Sequence, residues 1–537
     1  MTKLLFITLI FTQLIVANAN NNITLEWLEK QPISFAKDFY IWRYLNQDIS
    51  PEESNKALSQ VRYLNNKILY RYINKSDNVD LQEYKKCMRL NTKALLHKED
   101  YCIEAGLTVY DATKLSKADL DKIIKKSKKE YPKFAEKLEI IKAKVPFEKL
   151  MNEDKDLFFD TFNECGSHYR TENFNHYFPS SLLTKLKKDK KFGQTIKLIV
   201  TNLQMRKAQI SLLKLNPEGL DYKSVFHLAI NAIRHKKEKL ALVYLEDAFT
   251  KAYYRMEKDN IIFWQYQLTK EKKYLELLSD SWDVNIYTLY ANSILKKENK
   301  NIVYDLKQKK KKTNYDLSNP FKWLEVLDES KKMDENKLTK YESIFTTKET
   351  LGHLAFVKER YTRYRKSYFV TPYEEYLNGV NNKRKALIYA IGRQESRFIP
   401  TSISPAFAMG TMQIMPFLSK AIAKELKEPY DIDKQLTAKT NLRYANYHLN
   451  YLERNLNHPL FIAYAYNGGI GFTKRLLKTN LFKKGKYEPF LSMELLPYDE
   501  TKKYGKKVLT NYLIYNNYFN KENKLSFNRL IKDIKNL

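Results

Sequence analysis

Glycine and proline are scarce, at 13 and 15 of 537 residues. So few breakers exclude a fold made of many tight turns and favour helix, where long side chains lose little rotamer freedom. Alternating β-branched runs bounded by turn residues are also missing, so strands are expected to be minor. Cysteine is limited to Cys87, Cys102 and Cys165, with no Cys-x-x-Cys and no nearby His cluster. That set is a poor metal site. Acidic residues are outnumbered, 62 against 94 Lys and Arg, for a formal net charge of +32. Such a field attracts polyanions. Nucleic acid is the first class to consider, but no helix-turn-helix, zinc-finger or aromatic RNA-binding signature accompanies the charge. The lysine runs Lys125 to Lys129, Lys187 to Lys191 and Lys307 to Lys312 read as solvated surface. Contact with an acidic polymer outside the cytoplasm is the alternative.

Only one apolar run stands out. Lys3 precedes Leu4 to Val16 and then Ala17-Asn18-Ala19. This is the charged start, apolar core and small-x-small site of a secretory signal peptide, with cleavage expected after Ala19. The run is short for a spanning helix, and no later run reaches spanning length. No Cys follows the cleavage site, which argues against a lipid anchor there. Export argues again against nucleic acid. It also permits a disulfide, and Cys87 with Cys102 is the expected pair.

From about Trp27 to Tyr364 apolar residues recur at three- and four-residue spacing, as in Leu228 to Ile233, Leu240 to Ala248, Ile261 to Tyr266 and Tyr274 to Leu278. Successive amphipathic helices with brief connectors suit an α-solenoid. The chain is therefore expected to be all-α: a signal peptide over 1–19, a superhelical region over 20–300, a helical linker over 301–370 and a compact domain over 371–537. Gly, Pro, Ser and Met gather in loops only in that last segment. Loop chemistry beside a monotonous scaffold is where a site is expected.

Within it, Leu387, Ile391 and Glu395 share one helix face, with Glu395 at the C-terminal end. Burial and the negative end of the helix dipole both raise the pKa of a carboxyl so placed. A Glu protonated near neutral pH can act as a general acid. The loop Ser404 to Gly410 and the segment Thr411 to Pro416 follow, offering hydrogen-bonding groups at Ser404 and Gln413 and apolar wall at Met412 and Met415.

These residues carry a resemblance. Glu395-Ser396, Ser404-Pro405, Gly410, Met412-Gln413-Ile414-Met415-Pro416, Ala465-Tyr466-Asn467-Gly468-Gly469 and Glu494 to Tyr504 stand in the order and spacing of the soluble lytic murein transglycosylases. The family implies a lysozyme-like, mainly α catalytic domain after a long superhelix, ring- or arc-shaped in its best-known members. It implies non-hydrolytic cleavage of the β-1,4 bond between N-acetylmuramic acid and N-acetylglucosamine of peptidoglycan, leaving 1,6-anhydro ends. It implies Glu395 as the single acid and base, Ser404 orienting the N-acetyl group, and Met412, Gln413 and Met415 lining the groove. Tyr466 and Asn467 would stand beside the cleavage point, Glu494 would be a buried supporting acid, and Tyr504 would contact the catalytic region. No cofactor or metal is implied. A periplasmic location and a monomer acting on glycan strands are expected, with cell-wall synthases an open partner class. Phe407 departs from the usual Gly, which predicts a bulkier groove wall, and Gly469 and Lys502-Lys503 also depart from the pattern. Two other readings stand: a goose-type hydrolase, for which Asp431 and Asp433 are the nearest acids, and a catalytically inactive murein-binding scaffold.

Overall fold

The computed structural model describes residues 23–306, 312–479 and 481–534. The expected signal peptide and most of the Lys307 to Lys312 run lie outside them. The chain divides into two compact units, with the division after Asn78. The first unit packs four short helices, Leu25–Glu29, Phe35–Tyr44, Pro51–Leu58 and Asn66–Lys75, around Leu28, Phe39, Ile41 and Ile68. Among the described residues no helix is long and apolar enough to cross a membrane.

The second unit, from Val79 onward, is helix after helix. The apolar stripes read in the sequence fall on Tyr222–Arg234, Glu238–Lys251, Arg255–Thr269 and Lys272–Ser279. Each packs on its neighbour in sequence, because one amphipathic face per helix must be covered and the short connectors bring the next helix to it. Polar residues close the ends: Asp221 accepts from the Ser224 amide at 2.8 Å, and Asn285 caps Ile286–Leu295. Cys87 and Cys102 are joined by a disulfide that links Val79–Arg89 to Asp100–Gly106, while Cys165 is free and buried. Among the described residues strand is confined to two short segments, Ile302–Val303 and Ser367–Tyr368, paired in parallel.

The C-terminal helices are built into this same unit. The long helix Asp499–Phe519 lies against Asn382–Glu395 on one side and Pro459–Gly468 on another. Gly505 permits the second contact, since a Cβ there would sit 2.1 Å from a ring carbon of Tyr464. Aromatic contacts tie the array to this region: Phe263 meets Phe490 with ring centroids 4.6 Å apart. Buried polar pairs add to them. Glu494 accepts from Lys506 and, at 3.1 Å, from the Tyr287 hydroxyl of the array.

Candidate active site

The helix Asn382–Glu395 begins at Asn381, whose side chain accepts from the Arg384 amide at 2.9 Å. Leu387 and Ile391 are buried, and each such side chain contributes about 1.5–3 kcal/mol by leaving water. Glu395 is the last helical residue and continues that face. Its Oε1 accepts from the Tyr504 hydroxyl at 2.6 Å. Burial pushes the carboxyl up to about 7; the Tyr504 hydrogen bond opposes the shift, and the charge of Glu500 adds to it. Glu395 is thus a group that can hold or release a proton near neutrality.

The loop that follows is tied together by hydrogen bonds. The chain leaves the helix through Arg397 and Phe398, both in the left-handed region. Ser396 Oγ donates to the Thr411 carbonyl at 2.8 Å, and Met409 exchanges backbone hydrogen bonds with Ile414. Gly410, at φ 81°, lets Asn441 approach: a Cβ would lie 2.5 Å from Asn441 Cγ and 2.4 Å from the Gln435 carbonyl oxygen. Asn441 then accepts from the Met412 amide at 2.7 Å and donates to the Met409 carbonyl at 3.0 Å. Asn441 was not legible as a site residue, because it sits in the first turn of the ordinary amphipathic helix Ala438–Asn455.

The expected site residues divide. Ser404 is half-buried at the start of the loop, its Oγ accepting from the Ala408 amide at 2.9 Å. Gln413 commits its amide nitrogen to the Ser402 and Gly410 carbonyls, stapling the loop. Met415 is half-buried at the head of Pro416–Glu425. Tyr466 donates to the Met412 carbonyl at 2.7 Å. Asn467 donates to Glu500 at 3.0 Å and accepts from Thr501 at 2.7 Å. Glu500 is the acid that sequence reading passed over; its place within the Glu494 to Tyr504 motif was the available signal.

Two expectations are corrected. Met412 is fully buried, with its sulfur 3.1 Å from where a Cβ on Gly392 would be, so its side chain has no surface for a groove wall. Phe407 takes a φ of 66°, the left-handed conformation glycine would supply, and its ring is fully buried, so it adds no bulk to a groove. Glu494 is buried at 2% exposure, as expected of a supporting acid, and offers no surface to substrate. Burial pushes its carboxyl up, but Lys506 and Lys502 outweigh this and hold it below the usual carboxylate range. It lines a cavity of about 580 Å³ that Arg393, Gln394 and Arg397 also border and Glu395 does not.

Residues 374–488 match the model of the transglycosylase SLT domain. The C-terminal region contains a transglycosylase SLT domain. The soluble lytic murein transglycosylase of Escherichia coli is 35% identical over 133 residues, 24% of this chain and 20% of that protein. The protein of the same description from Salmonella typhimurium is 32% identical over 139 residues, 25% of this chain and 21% of its own. The matched segment thus spans about a fifth of the length of these relatives. The X-ray structure of an inactive glutamate-to-glutamine mutant of the lytic transglycosylase Slt from Pseudomonas aeruginosa aligns over 94% of this chain and 89% of that one. Its TM-score is 0.50 at 14% identity, which shows a shared fold.

The SLT match includes Glu395 and its loop, Tyr466 and Asn467, but ends before Glu494, Glu500 and Tyr504. Two groups that act on Glu395, Tyr504 and Glu500, therefore come from residues beyond the matched segment. The fold brings them back because Asp499–Phe519 runs along the helix that ends in Glu395.

Proposed function

We propose that this protein is a lytic transglycosylase that cleaves the β-1,4 bond between N-acetylmuramic acid and N-acetylglucosamine in peptidoglycan without consuming water. The observation that carries this reading is Glu395: a carboxyl at the end of a buried helix face, hydrogen-bonded by Tyr504 and titrating at about 7. Protonated Glu395 gives its proton to the glycosidic oxygen as the bond breaks. The N-acetyl group of the substrate stabilises the developing cation, and Ser404 orients it. The Glu395 carboxylate then takes the proton of the muramic C6 hydroxyl as that oxygen attacks C1, closing the 1,6-anhydro ring. One carboxyl serves both steps, whereas hydrolysing glycosidases ordinarily use two.

A hydrolytic second reading has one observation in its favour. Glu500 acts electrostatically on Glu395, so a second carboxyl lies within reach of the site. Asp431 and Asp433, the acids first weighed for that role, sit in a separate turn where the Asp433 amide donates to Asp431 at 2.9 Å.

The positive charge fits an exported enzyme held to an anionic wall polymer, since muramyl stem peptides carry carboxylates. Exposed charge attraction is screened, so binding to purified sacculi should weaken as salt rises. Substituting Glu395→Gln tests the catalytic assignment. The amide keeps size and hydrogen bonding but cannot cycle a proton, so release of soluble fragments from sacculi should fall at least about a thousandfold while binding persists. Undiminished release would sink the reading.

A further inference from the structure

We infer that Glu359 is a positioning residue for Glu395; this rests on the catalytic reading above. Glu359 lies on Leu351–Tyr361, upstream of the SLT match, and its side chain is 4% exposed. One carboxylate oxygen accepts from Arg393 Nη2 at 2.6 Å and from the Tyr368 amide at 3.1 Å. The other forms an ion pair with Arg397 Nε at 3.1 Å, without hydrogen-bond geometry. Arg393 and Arg397 stand two residues before and two residues after Glu395. A single buried carboxylate therefore grips the chain on both sides of the acid.

The grip falls where the backbone needs it. Arg397 and Phe398 are consecutive non-glycine residues at φ 59° and 65°. Such conformations persist only where the surroundings over-determine them. The helix that carries Glu359 also presses on this turn through its backbone: a Cβ on Gly352 would lie 2.5 Å from the Arg397 carbonyl oxygen. Arg393 is fixed in turn, donating to the Tyr368 carbonyl at 3.1 Å with its guanidinium 4.1 Å from the Phe369 ring centroid. Arg397 closes the frame by donating to the Arg393 carbonyl at 3.0 Å. Glu395 sits inside this frame as the last helical residue. Its carboxyl can face both Tyr504 and a glycosidic oxygen only while the helix end and the following turn are held.

The consequence is separable from binding. Loosening the frame misplaces the acid, and a displacement near 1 Å costs on the order of a hundredfold in rate. The groove loop is stapled by Gln413 and Asn441, contacts that Glu359 does not make. The test compares full-length wild type, E359Q and E395Q on soluble glycan strands, with kcat and KM measured per folded molecule. E359Q should lower kcat at least about tenfold with KM within about twofold, the signature of an interaction needed in the transition state. A smaller fall in kcat, or a loss carried by KM, overturns the inference. If E359Q does not fold, R397Q replaces it: the Arg397 side chain is 31% exposed, and the same split is read there. E395Q reports on the catalytic reading alone. Full activity in E395Q would overturn that reading, whereas an inactive E395Q beside a wild-type kcat in E359Q overturns only the positioning role.

Discussion

Tyr504 donates to Glu395 at 2.6 Å across 109 residues of sequence. The acid ends one helix and the phenol rises from another, so the pair exists only when the two helices are packed. Burial keeps the phenol well above its ordinary pKa, so it remains a donor across the working range. Its hydrogen bond favours the ionised form of Glu395, against the burial that disfavours it.

Removing that donor should therefore move Glu395 upward. Tyr504→Phe is expected to shift the alkaline limb of the kcat/KM profile to higher pH. It should also lower kcat at the optimum by about ten- to a hundredfold, in line with about 1.5–3 kcal/mol for a hydrogen bond to a charged group. An unchanged limb would mean that the contact does not tune the acid.

The raised pKa also sets a stability dependence. Glu395 titrates at about 7 in the folded chain against 4.5 ordinarily, so the folded state holds more protons between those values. Stability contributed by this group is present at low pH and is lost as pH rises through that window. Below it, wild type and Glu395→Gln should unfold alike. Above about pH 8 the Gln variant should be the more stable, by at most about 3 kcal/mol. Chemical denaturation of both proteins across pH measures the difference, and a gap that is constant with pH would contradict the shifted titration.

The loop after Glu395 depends on one glycine. Gly410→Ala would force a left-handed residue and drive a Cβ into Asn441 and the Gln435 carbonyl. The expected cost is about 1–3 kcal/mol from the backbone conformation, with the clash added. Activity should fall further than stability, because Asn441 would lose its hold on the Met412 amide. Thermal unfolding and activity assays on the one variant read both effects.

Glu494 and Lys506 form a buried pair, with side chains 2% and 4% exposed. Glu494→Gln leaves the ammonium without its counter-charge, and breaking such a pair typically costs about 3–5 kcal/mol. Burial already holds Lys506 down to about 8, and losing Glu494 should lower it further. The destabilisation should be smaller in alkaline buffer than at neutral pH, because the lysine then sheds its proton. A pH-independent loss would argue that packing, not charge, dominates there.

The parts of the site that were legible are those with a local signature. Glu395 could be placed from the i, i+4 spacing with Leu387 and Ile391, and the helical array from its apolar period. The rest is set by contacts across long stretches of chain. Asn441 and Glu359 sit in helices whose sequence shows only amphipathic pattern, and their roles appear once the loop and the turn fold onto them. Met412 and Phe407 were misread for a related reason. Both lie in an irregular loop, where side-chain direction follows no period, and Phe407 buries its ring by adopting a conformation that its residue type disfavours.

The most direct test is the mass of the fragments that purified wild-type enzyme releases from peptidoglycan. A single Glu395 acting first as acid and then as base should give muropeptides with 1,6-anhydro ends, each lighter by one water than its hydrolysed counterpart. Fragments carrying free reducing ends would contradict a one-carboxyl, water-independent reaction and place a second acid, with Glu500 foremost, in the chemistry.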